Sequence, residues 1–199
     1  MTEKVRSFFQ RIRSYLRITH VGGIARRYFV MNGFDGSMTM LGIVIGSWIV
    51  RNTEPKIIVT AGFGACLAMG VSGLFGAYMA EKAERRRRLK TLEDSMCTDL
   101  SDSMHSDASN FVSVYAAIID GISPMLTAVV SLIPFILTLT KTIIIWDAYV
   151  ISLTLTLITL FSLGLYLGRI ARENILLYGA QMVAAGLLTA GVVALLGAI

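Results

Sequence analysis

Five long apolar runs, separated by short charged segments, constrain this 199-residue chain more than any other feature of its sequence. They cover about 27–50, 57–80, 112–139, 148–168 and 174–198. An apolar run of about 18 residues or more is long enough to cross the hydrocarbon layer of a bilayer as a helix. We therefore predict an all-α, multi-pass protein of a prokaryotic inner membrane with five transmembrane helices.

The composition supports a membrane protein. Only 16% of the residues are charged, whereas soluble domains carry charge on about a quarter of theirs. Two cysteines are too few for a disulfide framework. Residues 1–27 contain no continuous apolar segment, so no cleavable signal peptide is predicted. The high pI comes from cations that flank the spans, so we attribute it to topology and predict no nucleic-acid partner.

The cations are divided unevenly between the two ends of the predicted spans. Seven precede the first span, six lie between the second and third, and two lie between the fourth and fifth. The remaining three are Arg51, Lys56 and Lys141. Because cytoplasmic segments carry the excess of Lys and Arg, the amino terminus is predicted to be cytoplasmic and the carboxyl terminus to lie outside.

Residues 1–25 combine basic residues with an apolar stripe at helical spacing, formed by Val5, Phe8, Phe9, Ile12, Tyr15 and Leu16. This pattern is typical of an amphipathic helix that lies in the headgroup region of the membrane; a loose basic tail is the alternative. Membrane lipids are the predicted partners of the basic residues at the cytoplasmic surface, namely Arg11, Arg13, Arg17, Arg85, Arg86, Arg87 and Arg88.

Two carboxylates lie within the predicted spans. An ionised side chain inside a bilayer costs at least about 2.5–3.5 kcal/mol, so Asp35 and Asp120 are candidate functional residues. Both are expected roughly 12–14 Å from the cytoplasmic boundary, and they face a common cavity if their helices are neighbours. Each is followed by glycine, which lets two helix backbones approach closely and also permits a local break that exposes carbonyl oxygens. The alternative is that each carboxylate only bonds a neighbouring span or caps a broken helix.

Oxygen ligands of this kind suit a divalent cation, and Asn32, one turn before Asp35, adds a further oxygen. Weaker candidate ligands are Met69 and Met79 in the second span, where ordinary packing is the favoured interpretation. The polar connector at 81–111 is predicted to begin as a helical extension of the second span. Its later part contains further candidate ligands, although a solvated connector is favoured over a metal site: Cys97, Asp99, Asp102 and His105.

Several motifs carry a resemblance to a known family. The segment Tyr28-Phe29-Val30-Met31-Asn32-Gly33-Phe34-Asp35-Gly36 resembles the first span of the vacuolar iron transporter family. Asp120-Gly121 with Ile133-Pro134-Phe135 is similar to that family's third span, and Phe161-Ser162-Leu163-Gly164 onward to its last two. The likeness is greatest to the short prokaryotic branch, which lacks the Glu-rich cytoplasmic metal-binding helices.

The resemblance implies a five-helix subunit that forms a homodimer with a metal path between its protomers. It also implies export of Fe²⁺, and sometimes Mn²⁺, from the cytoplasm in exchange for protons, and it maps the family's first-span aspartate onto Asp35. The second span departs from the family pattern Ser-Met-x-x-Gly-Glu-Tyr. Gly73 replaces its methionine and Ala77 its acidic residue.

We therefore predict a homodimeric transporter of divalent metal ions with no permanently bound cofactor, in which Fe²⁺ or Mn²⁺ is the transported ion. The alternative is a non-transporting membrane scaffold that binds partners or anionic lipids through its basic segments. No enzyme is predicted, because the sequence contains no nucleophile–base constellation, zinc motif or phosphate-binding loop.

Overall fold

The computed structural model describes residues 21–98 and 104–197, and these residues form only helices and connectors. The helices are α1 (Val21–Ile49), α2 (Pro55–Met96), α3 (Met104–Leu139), α4 (Ile145–Ala171) and α5 (Ile175–Leu196). Each of these five is long and apolar enough to cross a membrane. The predicted all-helical class and the five spans are thereby confirmed.

The bounds of the first two helices differ from those of the predicted spans. The first helix begins at Val21, several residues before the apolar run, so residues 21–25 belong to α1. Residues 1–20, on which the interfacial-helix prediction otherwise depends, lie outside the described part of the chain. Helix α2 contains 42 residues, or about 63 Å at 1.5 Å per residue. Because this is roughly twice the hydrocarbon thickness, its charged second part extends beyond the membrane.

Helix α3 is continuous through both of its prolines, Pro124 and Pro134. Proline removes a backbone hydrogen bond and disfavours the interior of a helix, but hydroxyl side chains and neighbouring helices offset this in membrane helices. One turn after Pro134, the Thr138 hydroxyl donates to the Pro134 carbonyl at 3.0 Å, a bond within α3 that does not replace the one that Pro134 removes.

The described chain divides into two compact units that cut across the helices. The first unit contains the beginning of α1 up to Phe29 together with Val71–Gly121. The second contains Val30–Gly70 together with the chain from Ile122 onward.

The core of the second unit is built around Tyr149 of α4, which is fully buried. Its ring meets Phe135 edge-on at 5.1 Å between centroids and stacks with Trp48 at 5.9 Å. Its hydroxyl donates to the backbone carbonyl of Asn52 at 2.8 Å, which satisfies the polar atom of a buried ring. The other buried apolar residues of this cluster are Met40, Val44, Ile58, Cys66, Ala128, Leu132 and Ala148.

Buried hydroxyls join α3 to α4 in the same unit. The hydroxyls of Ser131 and Thr156 are 2.7 Å apart, and the Ser152 hydroxyl donates to the Ser131 carbonyl at 2.7 Å. All three residues are fully buried. Because lipid offers no hydrogen-bonding partner, such bonds between helices help to fix their register.

Helices α4 and α5 approach each other closely at glycines. A Cβ atom added to Gly164 would lie 2.5 Å from the Tyr178 carbonyl oxygen and 2.7 Å from the Gly179 Cα. Only a residue without a side chain allows these two backbones to come so close. The short connection between the helices is completed by Arg172, which takes a left-handed conformation at φ 59°.

This close approach generates a stability prediction. We expect Gly164→Ala to destabilise the protein by about 1–3 kcal/mol, because the new methyl group meets rigid backbone atoms. Gly191→Ala is the control, since a Cβ there meets nothing within 4 Å. Thermal unfolding in detergent, followed by circular dichroism, measures both. Equal melting temperatures for the two variants would contradict the proposed packing.

Candidate functional site

The first candidate residue, Asp35, lies on an exposed face of α1. Its side chain is exposed and forms no hydrogen bond or ion pair with any residue that the structure describes. Thr39, Gly42 and Gly46 follow Asp35 by four, seven and eleven residues, on the same side of the helix. We call these four residues the Asp35 face.

The Asp35 face is open along its length. A Cβ added at Gly42 or Gly46 would meet nothing within 4 Å. Beside these glycines, a groove of about 560 Å³ continues to Val50, Asn52 and Ile57. The exposed carboxylate and the open glycines therefore form one continuous surface of the protomer.

The opposite side of the same helix is tightly packed. The Gly33 carbonyl accepts a hydrogen bond from the Thr127 hydroxyl of α3 at 2.9 Å, and a Cβ at Gly36 would overlap the Pro124 carbonyl of α3. Helix α1 is regular through residues 32–36. The glycines beside Asp35 thus bring α3 close to α1, and they do not mark the break that the sequence suggested.

Asp120, the second candidate, has a different environment. It is only 6% exposed, and it lies against Gly73 of α2. A Cβ at Gly73 would be 2.9 Å from Asp120 Oδ2 and 3.1 Å from its backbone carbonyl oxygen. Helix α3 continues through Gly121. The absent side chain of Gly73 therefore makes room for a buried carboxylate.

A further carboxylate, Glu81 of the first unit, was not among the site residues that the sequence predicted. The structure shows that it is 9% exposed and bonded to two residues. The Tyr28 hydroxyl donates to Oε1 at 3.1 Å, and Arg85 Nε donates to Oε2 at 3.2 Å. The sequence feature that could have indicated this site is the four-residue spacing of Gly73, Ala77 and Glu81, which places them on one side of α2.

The weaker candidates do not converge within the described residues. Met79 is 65% exposed, Met69 is half-buried and Cys97 is exposed at the end of α2. Asp99 and Asp102 lie outside the described residues, as does the side chain of His105. Within residues 21–98 and 104–197, no group of three or more His, Cys, Asp and Glu side chains is arranged to hold a metal ion.

The predicted lipid-contacting arginines separate into two groups. Arg86, Arg87 and Arg88 are exposed on the extension of α2, whereas Arg85 is directed to Glu81 with only 15% of its side chain exposed. Lipid contact therefore stays a prediction for the three exposed arginines. Arg11, Arg13 and Arg17 lie outside the described residues.

The packing of Asp120 on Gly73 can be tested by filling the space. We expect Gly73→Ala to lower the free energy of unfolding by about 1–3 kcal/mol, because the methyl group must displace Asp120. Gly76→Ala, three residues along the same helix, is the control, since its Cβ meets nothing within 4 Å. Unfolding in detergent measures both variants; an unaffected Gly73→Ala protein contradicts the close contact.

Comparison with known proteins agrees with this architecture. The sequence model of the VIT family matches residues 90–198, which is more than half of the chain. Over 172 residues, the chain is 33% identical to an uncharacterized protein of the archaeon Methanocaldococcus jannaschii. The alignment covers 85% of this chain and 86% of that protein. The chain therefore belongs to the VIT family, the vacuolar iron transporter family, whose general activity is the transport of metal ions across membranes.

Proposed function

We propose that the protein is a homodimeric transporter of divalent metal ions of the Fe²⁺ and Mn²⁺ class, which exports them from the cytoplasm in exchange for protons. The observation that carries this proposal is the exposed Asp35 carboxylate on a helix that is long and apolar enough to span the membrane. Family membership supplies the general activity.

The depth of Asp35 in the membrane determines the free-energy cost of its charge. Asp35 follows Arg27 by eight residues on a continuous helix, which places it about 12 Å along the helix axis from that cation. An ionised carboxylate facing lipid at such a depth costs at least about 2.5–3.5 kcal/mol. A second copy of the chain that covers the Asp35 face removes this cost.

The Asp35 face has the features of a helix–helix interface. Gly42 and Gly46 have the spacing at which small residues let two membrane helices approach closely. In a dimer with two-fold symmetry, the same surface of both copies meets itself. Two Asp35 carboxylates then lie across one interface, so a cation there meets one carboxylate from each copy.

The chemistry of this interface suits the proposed ions. Carboxylate, carbonyl and water oxygens are suitable ligands for Mn²⁺, and Asn32 adds an amide oxygen one turn before Asp35. A carboxylate in a dry site loses the stabilisation of its charge when the cation leaves, which favours uptake of a proton in its place. This exchange is the proposed basis of proton coupling.

The proposed orientation of the protein in the membrane rests on the charge asymmetry of the sequence. Fifteen of the 18 cations lie in segments that the alternation of five spans places on one side. Cytoplasmic placement of that side puts the beginning of α1 and the charged second part of α2 at the cytoplasmic surface.

Removal of the Asp35 charge tests the transport function. We expect Asp35→Asn to reduce Mn²⁺ flux into proteoliposomes at least roughly tenfold, because a neutral amide is a weaker ligand and exchanges no proton. Asp147→Asn is the matched control, since Asp147 is an exposed aspartate in the first turn of α4. Wild-type flux in Asp35→Asn refutes the proposed role of Asp35, whereas absence of flux in the wild-type protein favours the scaffold alternative.

A separate experiment tests the dimer. In a Cys97→Ser background, we expect Gly46→Cys to cross-link efficiently to a second copy in membranes, because identical positions meet near a two-fold axis. Leu188→Cys on α5 is the control, since it is 70% exposed but lies outside the Asp35 face. Gel electrophoresis separates the products. Equal cross-linking at the two positions contradicts the assignment of the interface to α1.

A further inference from the structure

The carboxylate of Glu81 is the centre of a three-residue cluster. One of its oxygens accepts a hydrogen bond from the Tyr28 hydroxyl of α1, and the other accepts one from the Arg85 guanidinium. We call these three residues the Glu81 cluster. Both carboxylate oxygens are therefore occupied, one by a neutral hydroxyl and the other by a cation.

The next pair along the helix shows that spacing alone does not explain this burial. Glu84 and Arg88 have the same four-residue separation and bond at 2.8 Å, yet their side chains are 48% and 73% exposed. The side chains of Glu81 and Arg85 are 11% and 15% exposed. Removing two charges from water is costly, so the buried pair requires an explanation that the exposed pair does not.

Glu81 also ends a row of small residues on α2. Ala77, one turn earlier, is 6% exposed, and Gly73, a further turn earlier, contacts the Asp120 carboxylate. Gly73 and Glu81 are eight residues apart, or about 12 Å along the helix axis. A buried carboxylate therefore lies at each end of a row that carries almost no side-chain bulk.

We propose that Glu81 is a binding site for a divalent cation and that Arg85 competes with this cation for the Glu81 carboxylate. The class of ligand rests on the proposed function. In the resting protein the guanidinium neutralises the carboxylate. An arriving divalent cation, with twice the charge, displaces Arg85 and binds the two carboxylate oxygens with the Tyr28 hydroxyl oxygen as a neutral ligand.

This competition has a measurable consequence. Two ligands that exclude each other from one carboxylate weaken each other's binding by the same factor. Removal of the guanidinium must then tighten binding of the divalent cation. A purely structural ion pair behaves differently, because loss of Arg85 then lowers stability and leaves the affinity for metal ions unchanged or weaker.

The test measures Mn²⁺ binding to the full-length protein in detergent, from the loss of the paramagnetic resonance signal of the free ion. An Asp35→Asn background removes the contribution of Asp35. On that background we expect Arg85→Gln to tighten Mn²⁺ binding roughly tenfold and Glu81→Gln to abolish it. Glu84→Gln and Arg88→Gln are the matched controls, for which unchanged affinity is expected.

Two outcomes overturn the proposal: Asp35→Asn protein that binds no Mn²⁺, and an Arg85→Gln affinity equal to or weaker than that of its parent. Thermal unfolding in metal-free buffer checks that each variant is folded. Tyr28→Phe keeps both charges and serves if Arg85→Gln does not fold. It should weaken Mn²⁺ binding because one oxygen ligand is lost, and unchanged affinity again overturns the proposal.

Failure of this proposal is distinguishable from failure of the proposed function. If Asp35→Asn loses flux but Arg85→Gln and Glu81→Gln leave the Mn²⁺ affinity unchanged, the protein is a transporter that has no cation site at Glu81. Wild-type flux in Asp35→Asn refutes the transport role of Asp35 whatever the Glu81 cluster binds.

Discussion

The cost of placing a carboxylate in hydrocarbon is the constraint on which this account depends. The Asp35 carboxylate has no charged or hydrogen-bonding partner among the described residues and lies on the outside of the protomer. Lipid cannot solvate it, and the adjacent glycines leave space for another helix. A second copy, a bound cation and a proton are three ways to offset that cost, and the proposed transport cycle uses all three.

Packing within the protomer determines which side of each helix remains available. Gly36 and Gly164 bring helices into backbone contact, while the hydroxyls of Thr127 and Ser131 bond α3 to α1 and to α4. The contacts of Gly36 and Thr127 occupy the inner side of α1 and leave the Asp35 face open. The buried Asp120 carboxylate is accommodated in the same way. Gly73 has no side chain, which leaves space on α2 for the charged side chain from α3.

The sequence predicted the five spans because the length of an apolar run is a sufficient signal for a membrane helix. The depth of Asp35, which follows from the rise of a helix, stays a prediction. The sequence did not show whether Asp35 lies on the packed or the exposed side of α1. Apolar residues lie around the whole circumference of this helix, so no pattern distinguishes its inner side. Glu81 was missed for a related reason: Glu81–Arg85 and Glu84–Arg88 have identical spacing, and only the contact with Tyr28 on another helix separates them.

The most direct measurement of the central claim is the position of a bound ion in the assembled protein. Crystals of the dimer soaked in Mn²⁺ and measured near the manganese absorption edge locate the metal by its anomalous scattering. We expect an anomalous peak on the two-fold axis, between the Asp35 carboxylates of the two copies. Anomalous peaks that are all remote from Asp35, or an Asp35 that faces lipid in the assembled protein, would contradict it.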